Sequence, residues 1–173
     1  RGVFVGGVLQ GEGSCEVDGS TYVGGVAEGL YDGTGERKFA EGAVYSGGWV
    51  GGLRHGSGLH QYTDGCTYDG EWLGGKRHGP GVLRRPAPLT TASTLTIQEY
   101  DGEWRDDEMV GECHITYHVG DTYEGHVERG VYHGRGVLRQ VDGREIDGVF
   151  VNGVASGPAL LILPTGDRFE GML

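Results

Sequence analysis

The stretch YSGGWVGGLRHGSGLHQYTDGCT, from Tyr45 to Thr67, decides the fold of this chain because its spacing recurs along the sequence. A tyrosine opens the stretch, a glycine follows two residues later, and a tryptophan follows two residues after that. Tyrosines at the same position occur 23 residues earlier and 23 residues later, at Tyr22 and Tyr68. A period of about 20 to 50 residues is typical of repeat proteins. The sequence therefore predicts a repeat protein.

The repeat continues after one interruption. Tyr100 and Tyr123 are again 23 residues apart, whereas Tyr68 and Tyr100 are 32 residues apart. Most recurring positions are glycines, and the chain has 37 glycines in 173 residues, about three times the usual share of about 7%. Because glycine disfavours helices, we predict strands rather than long helices. Two later units depart from the pattern, where Cys113, Ile146 and Ala159 occupy positions held elsewhere by glycine, tyrosine and glycine.

Alternation within each unit predicts strands. Tyr68, Gly70 and Trp72 point to one face of an extended chain, while Asp69 and Glu71 point to the other. This period of two predicts the first strand of the unit.

The rest of each unit predicts a loop, a second strand and a turn. Glycines at fixed positions in residues 52–56 are typical of a loop. A second alternating run follows with Gly58, His60 and Tyr62 on one face, and it ends at Asp64-Gly65. Asp-Gly favours a tight turn because both residues tolerate positive φ.

Each unit is therefore predicted to be one antiparallel hairpin. A lone hairpin is marginally stable in water, so neighbouring hairpins must pair. We predict an all-β fold, an elongated single-layer antiparallel β-meander solenoid, with ~14 strands spanning ~65 Å at ~4.8 Å per strand. The expected units are residues 1–21, 22–44, 45–67, 68–99, 100–122, 123–145 and 146–168, with a partial unit at 169–173.

The pattern Tyr-x-Gly-x-Trp-x-x-Gly-x-x-x-Gly-x-Gly, repeated every 23 residues, resembles the MORN family (membrane occupation and recognition nexus repeats). The resemblance extends from Gly2 to Gly171 except for an insertion, and the units that begin at Tyr45 and Tyr68 match closely. It implies an elongated β solenoid that scaffolds or recruits proteins, often in cytoskeletal or membrane-contact settings and often as a dimer. Enzymatic activity in such proteins belongs to other domains, so we expect no catalysis. A cytoplasmic or cytoskeletal location, or an organellar complex, is the corresponding expectation.

The aromatic residues are the main candidate binding surface. Glycine between two aromatic residues of a strand leaves room for a neighbouring ring, so the rings align in rows. Exposed aromatic side chains contribute disproportionately to binding, so we expect this face to receive a helical or extended protein segment. The alternative is that the rings form the thin core of the ribbon. The residues concerned are Tyr22, Tyr45, Trp49, Tyr68, Trp72, Tyr100, Trp104 and Tyr123.

The long interval between Tyr68 and Tyr100 indicates an insertion of nine residues within residues 84–98. Its prolines break strand pairing, so the first half is predicted to be an irregular loop, while residues 94–98 rejoin a strand. The insertion is either a tolerated surface loop or a partner contact. The candidate contact residues are Arg84, Arg85, Pro86, Pro88 and Leu89.

The charge balance excludes some partners. The chain has 25 acidic and 14 basic residues, a net charge of −11, which disfavours binding to nucleic acid and to anionic membranes. No apolar run approaches the ~18 residues of a membrane-spanning helix. A second hypothesis is a fixed architectural subunit of a cytoskeletal, axonemal or organellar membrane complex, joined through exposed strand edges, and lipid binding is a third. Because the chain begins at Arg1 and both ends fall within a repeat, we expect a piece of a longer protein.

The histidines do not predict a metal site. His55, His78 and His133 share one repeat position before a glycine, which favours loop residues over zinc ligands, since zinc needs four convergent donors. Cys113 and His114, with His118 and His126, are the strongest candidate cluster. Strand alternation places Cys113 and His114 on opposite faces, however, so no metal or cofactor is predicted.

The cysteines and the acidic run also receive structural interpretations. Cys15, Cys66 and Cys113 form no Cys-x-x-Cys pair and are odd in number, which favours free packing residues over a disulfide framework. Residues 106–108 form a local acidic run that we interpret as a solvated loop, because a calcium site needs more ligands.

Overall fold

The computed structural model describes residues 2–87 and 96–172, apart from the side chains of residues 3–5. In these ranges the chain forms 15 β-strands, and it contains no helix long and apolar enough to cross a membrane. The strands are β1 (Gly2–Val5), β2 (Val8–Val17), β3 (Ser20–Ala27), β4 (Leu30–Lys38), β5 (Val44–Val50), β6 (Leu53–Gln61), β7 (Thr67–Leu73), β8 (Lys76–Arg84), β9 (Ile97–Arg105), β10 (Glu108–Tyr117), β11 (Thr122–Glu128), β12 (Val131–Arg139), β13 (Glu145–Val151), β14 (Val154–Ile162) and β15 (Arg168–Met172).

The strands follow one another in the order of the chain. Each described strand is hydrogen-bonded to its neighbours in sequence, and the registered pairs are antiparallel, as in β5 with β6 and β11 with β12. The chain divides into two compact units, residues 1–81 and 82–173, called here the first and second units. The predicted all-β class and antiparallel meander are confirmed.

Two-residue turns close the hairpins. Gly51 and Gly52, between β5 and β6, have φ of 56° and 83°, and such paired positive φ values define the type I′ turn that suits the twist of a hairpin. The Gly52 amide also donates a 2.8 Å hydrogen bond to the Tyr31 carbonyl of the preceding hairpin. The Gly130 amide does the same to the Met109 carbonyl at 2.9 Å. The turns therefore connect successive repeats as well as the strands of one repeat.

The prediction that residues 52–56 form a loop is wrong. The turn takes only Gly51 and Gly52, and β6 begins at Leu53. Gly56 lies in that strand with φ of 62°, where the register with β5 shifts between Gly47 and Trp49. The glycine at this repeat position therefore serves a β-bulge, which requires positive φ, rather than a loop.

Facing glycines let this sheet bury a tyrosine in most repeats, whereas in the repeat that begins at Tyr100 one of the two glycines is replaced by Cys113. Gly47 of β5 lies opposite Gly58 of β6, and Tyr45 is 0% exposed above them. A Cβ added at Gly58 would lie 2.5 Å from the Tyr45 Cζ atom, which is far inside van der Waals contact. The Tyr45 hydroxyl donates a 3.0 Å hydrogen bond to the Gly48 carbonyl. The recurring glycines therefore leave the space that the buried aromatic rings occupy.

The insertion connects β8 to β9. Arg84 at the end of β8 forms an ion pair with Glu99 of β9, with 2.8 Å between Nε and Oε2. The Arg85 amide donates a 2.8 Å hydrogen bond to the Gln98 carbonyl. Of residues 94–98, which were predicted to rejoin a strand, Ile97 and Gln98 lie in β9, and residues 94 and 95 lie outside the described residues.

The candidate contact residues of the insertion are only partly described. Arg84, Arg85 and Pro86 are exposed. Pro88 and Leu89 lie outside the described residues, as does the rest of 88–95.

Candidate functional site

The structure places the predicted aromatic row inside the molecule. None of its members is more than 3% exposed, so the rings themselves are not a surface that a partner can contact. The alternative interpretation, in which they form the core, describes their position. Burial follows because the tyrosine rings lie against glycines of their own hairpins and the rings pack on one another, as Trp49 does on Tyr45 at 5.0 Å between centroids. The eight residues are Tyr22, Tyr45, Trp49, Tyr68, Trp72, Tyr100, Trp104 and Tyr123.

Two other positions of each repeat lie directly beside this core. The residue nine positions after the leading tyrosine pairs across the hairpin with the tryptophan position, as Arg54 does with Trp49. The residue fifteen positions after it pairs with the tyrosine, as His60 does with Tyr45. These flanking positions carry different side chains in different repeats: Tyr31, Arg54, Arg77, Met109 and Tyr132 at the first, and Arg37, His60, Leu83, Ile115 and Leu138 at the second.

In the first unit the flanking residues Arg37, Arg54 and His60 line an open cavity of about 350 Å³. We call it the first-unit groove. Its lining combines two arginines with apolar and aromatic side chains. The described lining residues are Arg37, Phe39, Glu41, Trp49, Gly52, Leu53, Arg54, His60 and Gly75.

Arg37 lies against aromatic rings in this groove. Its guanidinium carbon is 4.5 Å from the Phe39 ring centroid and 5.6 Å from that of Tyr31, a geometry that favours cation–π attraction. Its Nε atom is buried without a hydrogen-bond partner among the described residues. A buried donor without a partner is unfavourable, so Arg37 retains a donor whose hydrogen-bonding capacity is unused.

Arg54 is held from three sides. Its guanidinium carbon is 4.1 Å from the Trp72 ring centroid. Its Nη2 donates a 2.7 Å hydrogen bond to the Gly75 carbonyl, and its Nη1 donates at 3.2 Å to His60 Nδ1. A guanidinium fixed in this way loses little conformational freedom when a ligand binds.

His60 contributes a neutral ring to the groove. It is 5% exposed, and desolvation, assisted by the charges of Arg54 and Arg77 and opposed by Glu41, lowers its pKa to about 4. The ring is therefore uncharged at neutral pH. Because Nδ1 accepts from Arg54, the proton of the neutral ring resides on Nε2.

The arginine row extends one repeat further. The Arg77 guanidinium carbon is 5.7 Å from the Tyr68 ring centroid. Arg37, Arg54 and Arg77 thus lie on aromatic rings in three successive repeats of a chain whose net charge is −11. This cationic, aromatic surface was missed by the sequence analysis. The sequence feature that could have indicated this surface is a basic side chain at one of the two flanking positions in each of these three repeats.

The second unit has an equivalent cavity of about 390 Å³ with different chemistry. We call it the second-unit groove. Tyr132 stacks on Tyr123 with 3.7 Å between ring centroids, and its hydroxyl is hydrogen-bonded to that of Tyr117. Burial raises the pKa of both hydroxyls, so both remain neutral. The described lining residues are Tyr117, Asp121, Gly130, Val131, Tyr132, Leu138, Gln140 and Gly153.

The residues of the strongest candidate metal cluster in the sequence do not converge. Cys113 is buried with its thiol 3.4 Å from the Gly125 carbonyl, whereas His114 on the same strand is exposed. Across the residues that the structure describes, no group of three or more His, Cys, Asp or Glu side chains has the geometry to hold a metal ion. All three cysteines are free thiols.

The histidines predicted to lie in loops lie in strands instead. His55, His78 and His133 belong to β6, β8 and β12. The loop prediction failed because the glycine that follows each of them marks a bulge within a strand. His78 Nδ1 is buried and has no hydrogen-bond partner within the described ranges.

Tandem hairpins, a tyrosine core on facing glycines and variable flanking positions define a β-repeat protein with surface grooves. The MORN repeat family model matches residues 22–44, 45–67, 68–87, 100–122, 123–143 and 147–168, and the chain belongs to this family. MORN repeats are generally modules for interaction with proteins or membranes.

No curated protein sequence matches the chain. Among solved structures, the chain is similar to the TCP domain of SAS-4 (dCPAP) of Drosophila melanogaster, in complex with a proline-rich motif of Ana2 (dSTIL). The identity is 12%, the match covers 94% of this chain and 90% of that one, and the TM-score is 0.49.

Proposed function

We propose that this protein is a non-catalytic scaffold that recruits a protein partner through the first-unit groove. The observation that carries the proposal is the row of half-buried arginines on aromatic rings beside a cavity of about 350 Å³. Arginine and aromatic residues are enriched in interface hot spots. Binding cavities commonly measure about 300–1,000 Å³. The groove therefore has the composition and size to receive the side chains of a helical or extended segment.

Rigidity of the groove supports the same function. Arg54 is fixed by Trp72, the Gly75 carbonyl and His60 before any partner arrives. A preorganised surface loses less entropy on association than a mobile one. In this proposal the buried aromatic row contributes indirectly, because it holds the arginines in place.

Site-specific crosslinking in the source cells tests the proposal. A photoreactive residue at Leu53, which lines the groove and is 53% exposed, is compared with one at Val141, which is 70% exposed in the second unit. We expect crosslinks from position 53 to concentrate on one segment of one protein. Equal yields at both positions, or crosslinks from position 53 scattered over unrelated proteins, would contradict the proposal.

A second candidate function is a fixed architectural subunit. It is favoured by exposed aliphatic side chains beside the tight turns of the first unit, including Leu30 at 52%, Val50 at 54% and Leu73 at 48% exposed. Adjacent exposed apolar side chains are typical of contact surfaces. Crosslinks from Leu30 and Leu73 to several stable neighbours would favour this function over recruitment.

The insertion contact remains a separate prediction. Deleting residues 86–94 and measuring capture of the crosslinked partner tests it. Unchanged capture would show that the insertion is only a tolerated loop.

A further inference from the structure

We propose that the first-unit groove recognises a carboxylate: the partner segment presents an Asp or Glu side chain, which Arg37 and Arg54 receive, next to an apolar side chain. The inference rests on the proposed function and names the chemistry of the partner. Both arginines line the same cavity.

The donors of Arg37 are the first argument. A guanidinium has five N–H donors and no acceptor, and Arg37 Nε is buried without a hydrogen-bond partner among the described residues. A carboxylate oxygen would give that donor a charge-assisted hydrogen bond, which is about twice as strong as a neutral one. Arginine also matches the planar, two-oxygen geometry of a carboxylate better than lysine does.

Charge complementarity is the second argument. The chain as a whole carries a net charge of −11, so its overall charge repels an acidic segment. In the groove, Arg37 and Arg54 make the local charge positive. His60 adds no charge at neutral pH because burial lowers its pKa to about 4. Glu41 is the acidic side chain among the described lining residues, and it is exposed at the rim. Attraction confined to one groove fixes where and in which register an acidic segment binds.

The apolar wall of the groove is the third argument. Phe39 and Leu53 line the cavity beside the arginines, and Leu53 is 53% exposed. An apolar side chain adjacent to the acidic one would cover this surface and exclude water from the ion pair, which strengthens it. The preferred segment therefore pairs one acidic with one aliphatic or aromatic residue.

Peptide display on the full chain tests the inference. Random 12-residue peptides are selected against the protein, and the consensus peptide is compared with its Asn or Gln analogue by titration. We expect enrichment of Asp or Glu beside an apolar residue, and about ten-fold weaker binding of the amide analogue, as for the loss of one charged hydrogen bond. Arg37→Gln should weaken binding of the acidic peptide by about the same factor, and Arg37→Lys by less.

Two further variants separate recognition from folding. Glu41→Gln removes the like charge at the rim and should tighten binding of the acidic peptide by about two-fold, a gain that misfolding cannot imitate. Arg135→Gln, an exposed arginine of the second unit, is the matched control and should leave binding unchanged.

The outcomes distinguish the two proposals. Equal affinity for the acid and amide peptides, or full affinity in Arg37→Gln, overturns carboxylate recognition but leaves the scaffold function standing if the peptide still crosslinks to position 53. Selected peptides that crosslink to position 141 instead, or a selection that enriches no peptide at position 53, overturn the proposed function as well.

Discussion

The two grooves have the same strand pairing but are lined by side chains of different chemistry. Arg54 and Tyr132 occupy the same repeat position, as do His60 and Leu138, and each pairs with the same core position of its own hairpin. The first-unit groove is cationic, whereas the second is lined by neutral tyrosine and aliphatic side chains with Asp121. The comparison teaches that tyrosine and glycine determine this fold, while two flanking positions determine what each groove can bind. Function lies in sites placed on a fold rather than in the fold.

The cores of the two units also differ. In the first unit the tyrosine lies over two facing glycines, as Tyr45 does over Gly47 and Gly58. In the second unit Gly102 faces Cys113, and Gly148 faces Ala159 beneath a half-buried Ile146. The tyrosine ring is absent where Ala159 replaces the glycine, whereas Tyr100 stays buried beside Gly102 and Cys113. The second unit keeps the facing glycines at Gly125 and Gly136 beneath Tyr123, so the residues that face each other vary more in the second unit than in the first.

The largest expected effect comes from removing a core ring of the first unit. Trp72 is 3% exposed, and its Nε1 donates a 3.0 Å hydrogen bond to the Gly58 carbonyl. Trp72→Ala should lower the free energy of unfolding by about 3–5 kcal/mol, as for other large-to-small core changes, and should release Arg54 from its ring. Urea unfolding measures the loss, and peptide titration measures the effect on the groove.

Phe150→Ala is the matched change in the second unit, since Phe150 is 2% exposed at the equivalent position. It should destabilise the protein by a similar amount while leaving peptide binding at the first-unit groove intact under conditions where the protein is folded. Normal stability of Trp72→Ala would contradict the assignment of these rings to the core.

A smaller effect is expected from adding a side chain at one of the facing glycines. Gly58→Ala places a methyl group 2.5 Å from Tyr45 Cζ, so the ring must move, and overpacking of this kind costs about 1–3 kcal/mol. Ala159→Gly in the second unit, where Ile146 replaces the tyrosine, removes a methyl group without relieving such an overlap and should change stability by only about 1 kcal/mol. Comparing the two urea midpoints checks the difference. Equal effects would show that the facing glycines are not required by the ring.

His60 gives the first unit a pH dependence that Leu138 cannot give the second. The pKa of His60 is about 4 in the folded state, below its ordinary value of 6.5. As pH falls below 6.5 the unfolded chain binds a proton that the folded chain does not, so stability is lost between pH 6.5 and 4. The loss amounts to about 2 kcal/mol between pH 7 and pH 5, because pH 5 lies about 1.5 units below the unfolded pKa and one unit corresponds to 1.36 kcal/mol. Unfolding in urea at these two pH values measures it.

His60→Leu, which introduces the residue found at position 138, is the control for that measurement. It should remove most of this pH dependence while the carboxylates of the chain continue to titrate as before. An unchanged slope of stability against pH in His60→Leu would show that other groups cause it.

Much of the fold follows from particular residues of the sequence, and the site does not. The spacing from Tyr45 to Tyr68 and the alternation around Trp72 predict paired strands without reference to any contact. Alternation assigns side chains to two faces but does not say which face is covered, so the same rings suited both a core and a binding surface. The burial of Tyr45 depends on Gly58 lying directly opposite Gly47, which only the strand register shows.

The first-unit groove was also hard to predict, because its residues come together only through the strand register. Arg37 and Arg54 are 17 residues apart in sequence and line one cavity only because β4, β5 and β6 pair in a definite register. Basic residues taken singly, in an acidic chain, suggest ordinary solvated positions. The bulge at Gly56 was not predicted either, because a recurring glycine with positive φ is compatible with a loop and with a β-bulge.

The smallest expected effect concerns the charged surface of the second unit. Arg139 forms ion pairs with Glu145 at 2.9 Å and Glu124 at 3.6 Å, and its side chain is 47% exposed. Exposed ion pairs contribute about 0–1 kcal/mol because water and salt screen them. Arg139→Gln should therefore lower the free energy of unfolding by about 0.5 kcal/mol at low salt, and the difference should shrink in 1 M NaCl. Since Arg139 lies outside both grooves, an effect of this variant on binding of the acidic peptide would mean that the general charge of the protein, rather than the first-unit groove, attracts the partner.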